Sequence, residues 1–159
     1  MRYLVGVMLL CIAQLSMAEG IKPFVSGSMT QIKATQQQRP MIISFWSIDC
    51  PPCYTELRLW RELSRRHPQL NLVLVSTDDV ESRTEVQQVL QELGVSHLQS
   101  WQFADDNAQR LRYEIDKRWY GELPRSYFYG PGSEPLALSG VVDSNKVEQW
   151  LAQFSTATK

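Results

Sequence analysis

Two cysteines separated by two prolines form the part of this sequence best suited to chemistry. Cys50 and Cys53 stand three positions apart, shortly after the apolar run Met41–Trp46 and at the start of a predicted helix. A thiol at a helix N-terminus faces the positive end of the helix dipole, which favours the reactive thiolate. We therefore expect Cys50 to attack and Cys53, one turn into the helix and more buried, to resolve the mixed disulfide. The same spacing occurs in cysteine pairs that supply two of the four ligands of a zinc site. Metal binding and a pair of unreactive thiols therefore remain as alternatives.

The composition fits one soluble globular domain and excludes several other classes of protein. The chain has 159 residues, of which 43% are hydrophobic and 21% charged, so neither a disordered tail nor a fibrous repeat fits. Sixteen Lys and Arg against 17 Asp and Glu leave no basic excess to bind nucleic acid. Three cysteines and two histidines, none at zinc-finger spacing, exclude a disulfide-stapled miniprotein and a Cys/His structural zinc site.

The first 18 residues have the pattern of a secretory signal peptide. Arg2 precedes an apolar run over residues 4–13, and small residues stand at the −3 and −1 places of a cleavage site after Ala18. Cleavage there removes Cys11 and leaves the pair described above as the only thiols. The apolar run is short for a membrane span, which takes about 20 residues. An uncleaved anchor in the inner membrane is the alternative.

Hydrophobic periodicity predicts alternating strands and helices. The order strand–helix–strand–helix requires a parallel crossover, an inserted strand and helix follow, and a final hairpin adds antiparallel edge strands. The predicted fold class is an α/β sandwich with a mixed central sheet. The predicted helices are Ser28–Gln37, Pro51–His67, Ser82–Leu93, Asn107–Trp119 and Ser144–Phe154, with Ser28 and Ser144 as N-caps. The predicted strands are Met41–Trp46, Leu70–Ser76, Leu98–Phe103, Arg125–Tyr129 and Leu136–Gly140.

The run FWSIDCPPCYTEL at residues 45–57 resembles the thioredoxin superfamily. It is most similar to the TlpA-like periplasmic disulfide reductases, whose pattern has a Phe-Trp pair, a Trp-Cys-x-Pro-Cys site and a downstream Glu. The resemblance implies a thioredoxin fold, with helices on both faces of the mixed sheet and a small strand-helix insertion between Gly94 and Trp119. It divides the chain into a signal peptide at 1–18, an N-terminal segment with the first helix at 19–39, and a thioredoxin-like domain at 40–155.

Glu56 matches the active-site Glu of this family. It follows Cys53 by three residues, so it lies one turn along the predicted helix on the same side. A partly buried carboxylate there accepts the proton of the resolving thiol. Ser44 stands where thioredoxins carry a buried Asp, which removes that other proton acceptor. The alternative for Glu56 is an ordinary solvated helix residue.

A second family match is Leu123-Pro124, directly before a predicted strand. In the family, a cis-proline at this place faces the disulfide and binds the substrate backbone, but the sequence leaves the isomer of Pro124 open. Leu123 and Arg125 flank the proline and are predicted to line the substrate groove. Trp119 and Tyr120 lead into the same segment. For these two side chains, core packing and substrate contact are equally open.

The residues predicted to tune the redox potential are Trp46, Asp49, Pro51 and Pro52. Asp49 replaces the family's usual Trp before the first cysteine, and an anion beside Cys50 raises the pKa of its thiol. The two prolines bring no N–H groups that stabilise a thiolate. A less stable thiolate lowers the reduction potential of the cysteine pair. We therefore expect a potential nearer to that of thioredoxin, about −270 mV, than to that of DsbA, about −120 mV. Arg58 and Arg125 act against Asp49, so only the direction is predicted.

The sequence therefore predicts a periplasmic thiol:disulfide oxidoreductase that reduces protein disulfides, with no cofactor and no metal beyond its own Cys50–Cys53 disulfide. The resemblance implies two partners, which are a disulfide-bearing protein such as apocytochrome c or a copper-site protein, and a membrane thiol electron donor. No nucleic-acid partner is expected, and the protein is expected to be a monomer. Two alternatives stay open. One is a disulfide oxidase or isomerase on the same fold, and the other is a non-enzymatic Cu(I)-binding chaperone, for which a third ligand is missing.

Overall fold

The computed structural model of the chain describes residues 20–35 and 39–155 and contains one six-stranded sheet with five helices. The predicted signal peptide at 1–18 lies outside the described residues. The strands are β1 (Lys22–Phe24), β2 (Met41–Trp46), β3 (Asn71–Ser76), β4 (Gln99–Phe103), β5 (Arg125–Tyr129) and β6 (Leu136–Ser139). The helices are α1 (Ser28–Ala34), α2 (Pro51–Arg66), α3 (Arg83–Glu92), α4 (Ala108–Ile115) and α5 (Ser144–Ser155), and a short 3-10 turn at Val80–Ser82 precedes α3.

The sheet has the order β1-β4-β3-β2-β5-β6. The first four strands in this order are parallel to their neighbours, whereas β5 is antiparallel to β2 and β6 is antiparallel to β5. The predicted mixed sheet is therefore confirmed, together with the parallel crossovers, the inserted strand and helix, and the final hairpin. In the part of the chain that the structure describes, no helix is long and apolar enough to span a membrane.

The central strand β2 is buried on both faces, because all six of its residues lie in the interior. Its side chains alternate between two cores, as the period of a strand requires. Ile42 and Trp46 pack with α2, α3 and α5 on one face. Met41, Ile43 and Phe45 pack with α1, α4 and the aromatic residues of β4 on the other face. This double burial fixes the end of β2, where the two cysteines follow.

Strand β1 was not predicted from the sequence. It contributes three residues that pair in parallel with β4, so that Phe24 lies beside Phe103. The two rings stack with their centroids 5.3 Å apart. Part of the predicted N-terminal segment, Lys22–Phe24, therefore adds a strand to the same sheet.

The predicted helix Asn107–Trp119 is too long. Helix α4 ends at Ile115, because Asp116 takes an extended conformation with φ −157°. The Asp116 carboxylate accepts hydrogen bonds from the backbone N–H of Arg118 at 2.9 Å and from the guanidinium of Arg125 at 3.0 Å. These bonds hold the chain in a turn where the sequence pattern continued the helix.

Both predicted serine caps are wrong. Gly27 precedes α1 with φ 84°, a left-handed conformation that suits glycine. The hydroxyl of Ser28 accepts the N–H of Val25 at 2.9 Å instead of capping the helix. At α5, Oδ1 of Asp143 accepts the N–H groups two and three residues further on, at 2.7 and 3.3 Å, so Asp143 takes the capping role predicted for Ser144. The predicted end of the first helix at Gln37 lies outside the described residues.

Candidate active site

Cys50 and Cys53 form a disulfide at the junction of β2 and α2. Cys50 is the residue before the helix and is 8% exposed, whereas Cys53 lies in the first turn and is fully buried. The backbone N–H of Cys53 donates to the carbonyl oxygen of Cys50 at 2.9 Å. Helix α2 begins with two prolines, which costs no intrahelical bond because the first N–H groups of a helix have no partner within it. The more exposed Cys50 and the buried Cys53 lie as predicted.

Glu56 is buried one turn further along α2, with 1% of its surface exposed. Its Oε2 accepts hydrogen bonds from the hydroxyls of Ser44 at 3.0 Å and Ser126 at 3.4 Å, two residues that face each other across β2 and β5. The indole N–H of Trp60 donates to the Ser44 oxygen at 2.9 Å. The other carboxylate oxygen, Oε1, is buried and has no hydrogen-bond partner among the described residues. The alternative of a solvated Glu56 is therefore wrong.

Burial raises the pKa of Glu56 from 4.5 to about 7, because a charged carboxylate loses its hydration in the interior. The Ser44 hydroxyl, the nearby backbone of Val142 and the Ser126 hydroxyl each favour the charged form and limit the rise in pKa. A carboxyl group with a pKa near neutrality exchanges protons readily at the pH of most cellular compartments. Glu56 is therefore suited to accept and return a proton inside the protein.

The loop that leads from β2 to Cys50 is held by Asp78, which follows β3. One carboxylate oxygen accepts the hydroxyl of Ser47 at 2.7 Å, and the other accepts the backbone N–H of Ile48 at 3.1 Å. The hydroxyl of Ser76 donates to the same carboxylate at 2.6 Å. Sequence reasoning did not single out Asp78 as a site residue. Its position directly after a buried strand beside β2 is the signal that identifies it.

Asp49 is exposed next to Cys50, and its N–H donates to the Ser47 hydroxyl at 3.2 Å. Arg58 is also exposed, one turn beyond the site on α2. Both side chains line one shallow depression at the start of the helix, between Tyr54 and Pro51. Arg58 makes no ion pair of 4.0 Å or less with any residue that the structure describes. The two opposite charges flank the site without neutralising each other in a direct contact.

Pro124 follows a cis peptide bond, which decides the isomer that the sequence left open. The proline is buried, and its carbonyl oxygen accepts the N–H of Gly140 at 2.8 Å. In the antiparallel register of β2 and β5, Phe45 pairs with Arg125. One step further along this register, Pro124 comes level with Trp46, the last residue of β2. Pro124 therefore lies at the edge of the sheet from which the disulfide loop emerges.

Of the residues predicted to lead into the substrate groove, Trp119 and Tyr120 have opposite environments. Trp119 is only 4% exposed, its ring lies 4.9 Å from that of Phe45, and its Nε1 donates to the carbonyl oxygen of Glu122 at 2.9 Å. Tyr120, the next residue, is 92% exposed. For Trp119 the structure favours core packing over substrate contact, whereas Tyr120 is available to a partner.

The two residues that flank Pro124 are both engaged within the protein. Leu123 is half-buried and packs against both cores. The guanidinium of Arg125 donates to Asp116 at 3.0 Å and to the hydroxyl of Ser139 at 2.7 Å. Its charge is therefore neutralised by Asp116. Among the described contacts, none joins Arg125 to Asp49, the residue whose charge it was predicted to offset.

No group of three or more His, Cys, Asp or Glu side chains lies together in a metal-binding arrangement within residues 20–35 and 39–155. Within the part of the chain that the structure describes, both histidines form hydrogen bonds with residues other than the two cysteines. The Nε2 atom of His67 contacts Glu148 at 2.8 Å, and that of His97 contacts the hydroxyl of Ser64 at 3.3 Å.

Comparison with known proteins identifies the fold. No family model and no curated protein matches the chain. A secreted Mycobacterium tuberculosis disulfide oxidoreductase, described as homologous to E. coli DsbE, matches with a TM-score of 0.61 and 16% identity over 76% of this chain and 85% of that one. StoA from Bacillus subtilis matches with a TM-score of 0.54 and 20% identity over 74% and 85%. A putative thioredoxin from Neisseria meningitidis matches with a TM-score of 0.59 and 20% identity over 79% and 81%.

These structural neighbours, together with the sheet order and the position of the cysteines, establish that the chain has the thioredoxin fold. The fold predicted from the sequence is confirmed. The fold agrees with the resemblance to the thioredoxin superfamily that residues 45–57 carry.

Proposed function

We propose that this protein is a thiol:disulfide oxidoreductase that reduces disulfides in partner proteins through Cys50 and Cys53. The observation that carries the proposal is the placement of the pair over a buried acid. Cys50 is the more exposed cysteine at the start of a helix, Cys53 is fully buried, and Glu56 lies one turn below with a pKa of about 7. This arrangement supplies an attacking thiol, a resolving thiol and a proton acceptor in that order.

The reaction begins from the reduced dithiol. The thiolate of Cys50 attacks one sulfur of the partner's disulfide, and the other partner sulfur leaves as a thiolate. Cys53 passes its proton to Glu56, and its thiolate then attacks the sulfur of Cys50. The second partner sulfur leaves as a thiolate, and the two partner thiolates take up the proton held by Glu56 and one from solvent. The partner departs with two thiols, and the protein keeps the Cys50–Cys53 disulfide. Two electrons have moved from this protein to its partner.

The unpartnered Oε1 of Glu56 supports this role. It is buried without a donor among the described residues while the cysteines are oxidised. A buried acceptor left without a donor is costly, so Oε1 is placed to take a hydrogen bond from a nearby donor. In the reduced protein the thiol of Cys53, one turn away on the same side of α2, is such a donor.

The charges around Cys50 support the proposed direction of electron flow. Asp49 is an exposed anion next to it, and Pro51 and Pro52 supply no N–H groups at the start of α2. Both features disfavour the Cys50 thiolate and therefore the reduced form. A dithiol that is destabilised in this way gives up its electrons, which suits a reductase.

The setting and the partners belong to the same proposal. The signal-like residues 1–18 and the resemblance to TlpA-like proteins support export to the periplasm. That compartment is kept oxidising, so a reductase there requires a donor, and a membrane thiol carrier is the class that fits. The protein substrate is a disulfide-bearing chain of the kind presented by an apocytochrome c or a copper-site protein.

The reduction potential of the purified protein tests the direction. Equilibration against dithiothreitol and glutathione couples, read by the fluorescence of Trp46, is expected to give about −230 mV or lower. A value near the DsbA end, at about −120 mV, would contradict the reductase and leave an oxidase on the same fold. The exchange activity itself is tested with two variants. Cys53→Ser is expected to accumulate a mixed disulfide on Cys50, and Cys50→Ser is expected to form none.

A further inference from the structure

A pocket lies between α4 and the loop that carries Pro124. Its walls come from the end of α4 and from the turn that follows it. The side chains that line it are Gln109, Arg112, Tyr113, Lys117, Trp119 and Tyr120. The lining joins aromatic surface with two cations and contains no carboxylate. The proposed chemistry at the cysteines does not use this pocket.

Two aromatic side chains of the pocket are unusually open to solvent. Tyr120 is 92% exposed and Tyr113 is 58% exposed. Tyrosine buries a large apolar area when it meets a partner and carries a hydroxyl that remains hydrated until then, which is why it is common in protein interfaces. A pair of exposed tyrosines on one pocket therefore marks a surface for binding a protein rather than a surface for solvent alone.

The cations of the pocket have no carboxylate to neutralise them. Lys117 lies over the ring of Tyr113, with its Nζ 5.4 Å from the ring centroid, and neither Lys117 nor Arg112 forms an ion pair with a described residue. The Nε atom of Arg112 is buried without a hydrogen-bond partner among the described residues. Three acids lie nearby but outside the lining. Glu114 faces Arg110 and Asp116 binds Arg125. Glu122 accepts the backbone N–H of Tyr120 at 3.2 Å and faces Arg125 with its other oxygen. The pocket is therefore complementary to an anionic group.

The pocket is joined to the candidate active site through one loop. Arg112 packs against Gly121, where an added Cβ would lie 3.4 Å from Nε of the arginine. Gly121 has φ +101°, so it makes a turn that other residues adopt poorly. Tyr120 precedes Pro124 by four residues, which span at most ~14 Å when extended. An extended partner segment that crosses Pro124 therefore reaches the pocket within a few residues.

We propose that this pocket binds an acidic segment of the partner protein, located within about four residues of the disulfide that Cys50 attacks. The proposal rests on the proposed function, because it assigns the substrate preference of the same reaction. The tyrosines supply apolar contact to the segment, and Arg112 and Lys117 supply the opposite charge. Partners with acidic residues beside their disulfide are then reduced in preference to others.

The test compares two synthetic peptides that share one intramolecular disulfide. One peptide carries two Glu on each side of the disulfide, and the other carries Gln at the same places. The reduced full-length protein is mixed with each peptide, and the second-order rate constant is followed by tryptophan fluorescence. We expect the Glu peptide to react about five- to tenfold faster at low salt, since each exposed charge pair contributes about two- to fivefold. The preference is expected to shrink at high salt, because ions screen exposed charges.

Lys117→Glu is expected to abolish the preference for the Glu peptide, because the remaining charge of Arg112 and the introduced carboxylate then cancel. Tyr120→Ala is expected to slow both peptides by a similar factor, because it removes apolar contact and leaves the charges in place. Arg65→Glu is the matched control, since Arg65 is also an exposed cation (65% exposed) but lies near the far end of α2. This control is expected to keep the preference of the unmodified protein.

Equal rates for the two peptides would overturn this inference and leave the proposed function in place. A preference that persists in Lys117→Glu or at high salt would also overturn it, since the pocket charges would not be its cause. Failure to reduce either peptide would instead overturn the proposed function. A dimer in sedimentation equilibrium that Tyr120→Ala dissociates would assign the surface to a second copy of the chain and overturn the acidic-segment proposal.

Discussion

The hydroxyl of Ser44 donates a 3.0 Å hydrogen bond to Oε2 of Glu56, so the strand before the cysteines holds the carboxylate that lies beneath them. The same hydroxyl oxygen accepts the indole N–H of Trp60 at 2.9 Å. One serine therefore connects the acid to the core. Because a hydrogen bond from Ser44 lowers the pKa of Glu56 against the effect of burial, this contact also helps to set the pH range in which the acid exchanges its proton.

Ser44→Ala is expected to lower the free energy of unfolding by about 1–3 kcal/mol, because the buried indole N–H of Trp60 loses its acceptor. It is also expected to raise the pKa of Glu56 above about 7, because the charged form loses a donor. Urea denaturation measures the first effect, and infrared titration of the carboxyl group measures the second. Ser100→Ala on β4 removes another buried hydroxyl and is expected to leave Glu56 unchanged. A Glu56 pKa that falls in Ser44→Ala would contradict the prediction.

Glu56→Gln is expected to slow the second step of the reaction about 10²-fold, because Cys53 loses its internal proton acceptor. The first step, attack by Cys50, is expected to keep its rate, so the mixed disulfide accumulates. Acid quenching followed by mass spectrometry measures the intermediate over time. The rate of release in the unmodified protein is expected to rise with pH through about 7, where Glu56 becomes ionised, and the variant is expected to lack this inflection.

The control for this kinetic prediction is Glu62→Gln on the same helix, where the side chain is 51% exposed. It removes one carboxylate from α2 without touching the buried acid. Release at the normal rate in Glu56→Gln, or an equal delay in Glu62→Gln, would show that Glu56 does not take the proton of Cys53.

Stability is expected to depend on the ionisation of Glu56. The folded-state pKa of about 7 lies above the ordinary 4.5, so the folded protein holds this proton more tightly than the unfolded chain. The stabilising contribution is present in full below pH 4.5 and is lost as the pH rises through 7. Its size is on the order of 3 kcal/mol. Denaturation of the oxidised protein between these pH values measures the slope, which is expected to be weaker in Glu56→Gln. An unchanged slope in that variant would contradict the assignment.

Asp78→Asn is expected to slow the attack of Cys50 about tenfold, because the loop at Ser47 and Ile48 loses the charged acceptor that holds it, and misplacement of a reacting group is costly. The variant is also expected to lose about 1–3 kcal/mol of stability. The rate is measured well below the unfolding temperature. Asp106→Asn removes an exposed carboxylate as the control. Lower stability with a normal rate of attack would make Asp78 a structural residue only.

Asp49→Asn and Arg58→Gln are expected to move the reduction potential in opposite directions. Removal of the Asp49 anion stabilises the Cys50 thiolate and raises the potential, whereas removal of the Arg58 cation lowers it. Each shift is expected to be about 10–20 mV, because exposed charges contribute up to about 1 kcal/mol and 30 mV corresponds to about 1.4 kcal/mol. Shifts of the same sign in both variants would contradict the role assigned to these charges.

The parts of the fold that follow from local patterns were predicted from the sequence. The apolar run of β2, the two prolines that open α2 and the hairpin of β5 and β6 each carry a signal within a few neighbouring residues. Strand β1 carries no such signal, because its three residues depend on pairing with β4, about 80 positions away. The early end of α4 likewise depends on the contact of Asp116 with Arg125 on another element. Contacts between distant segments therefore determine these two features, and local periodicity does not predict them.

The same distinction applies to the site. The helical spacing of Glu56 to Cys53 was visible in the sequence, but its burial was not. Burial depends on Ser44 and Ser126, which reach the carboxylate from two different strands. The place of Asp78 in the site is likewise visible only once β2 and β3 lie side by side. The residue types predict thiol chemistry at this place, whereas the burial of Glu56 could be seen only in the packed structure.

The low exposure of Cys50 limits the shape of any partner. Only 8% of the Cys50 surface is accessible and Cys53 is fully buried, so little of the attacking residue is open to a partner. A disulfide recessed in a crevice of its own protein cannot approach such a sulfur in line. A disulfide on a protruding or still unfolded segment can. Under the proposed function, this geometry makes the accessibility of the partner's disulfide a criterion for reaction.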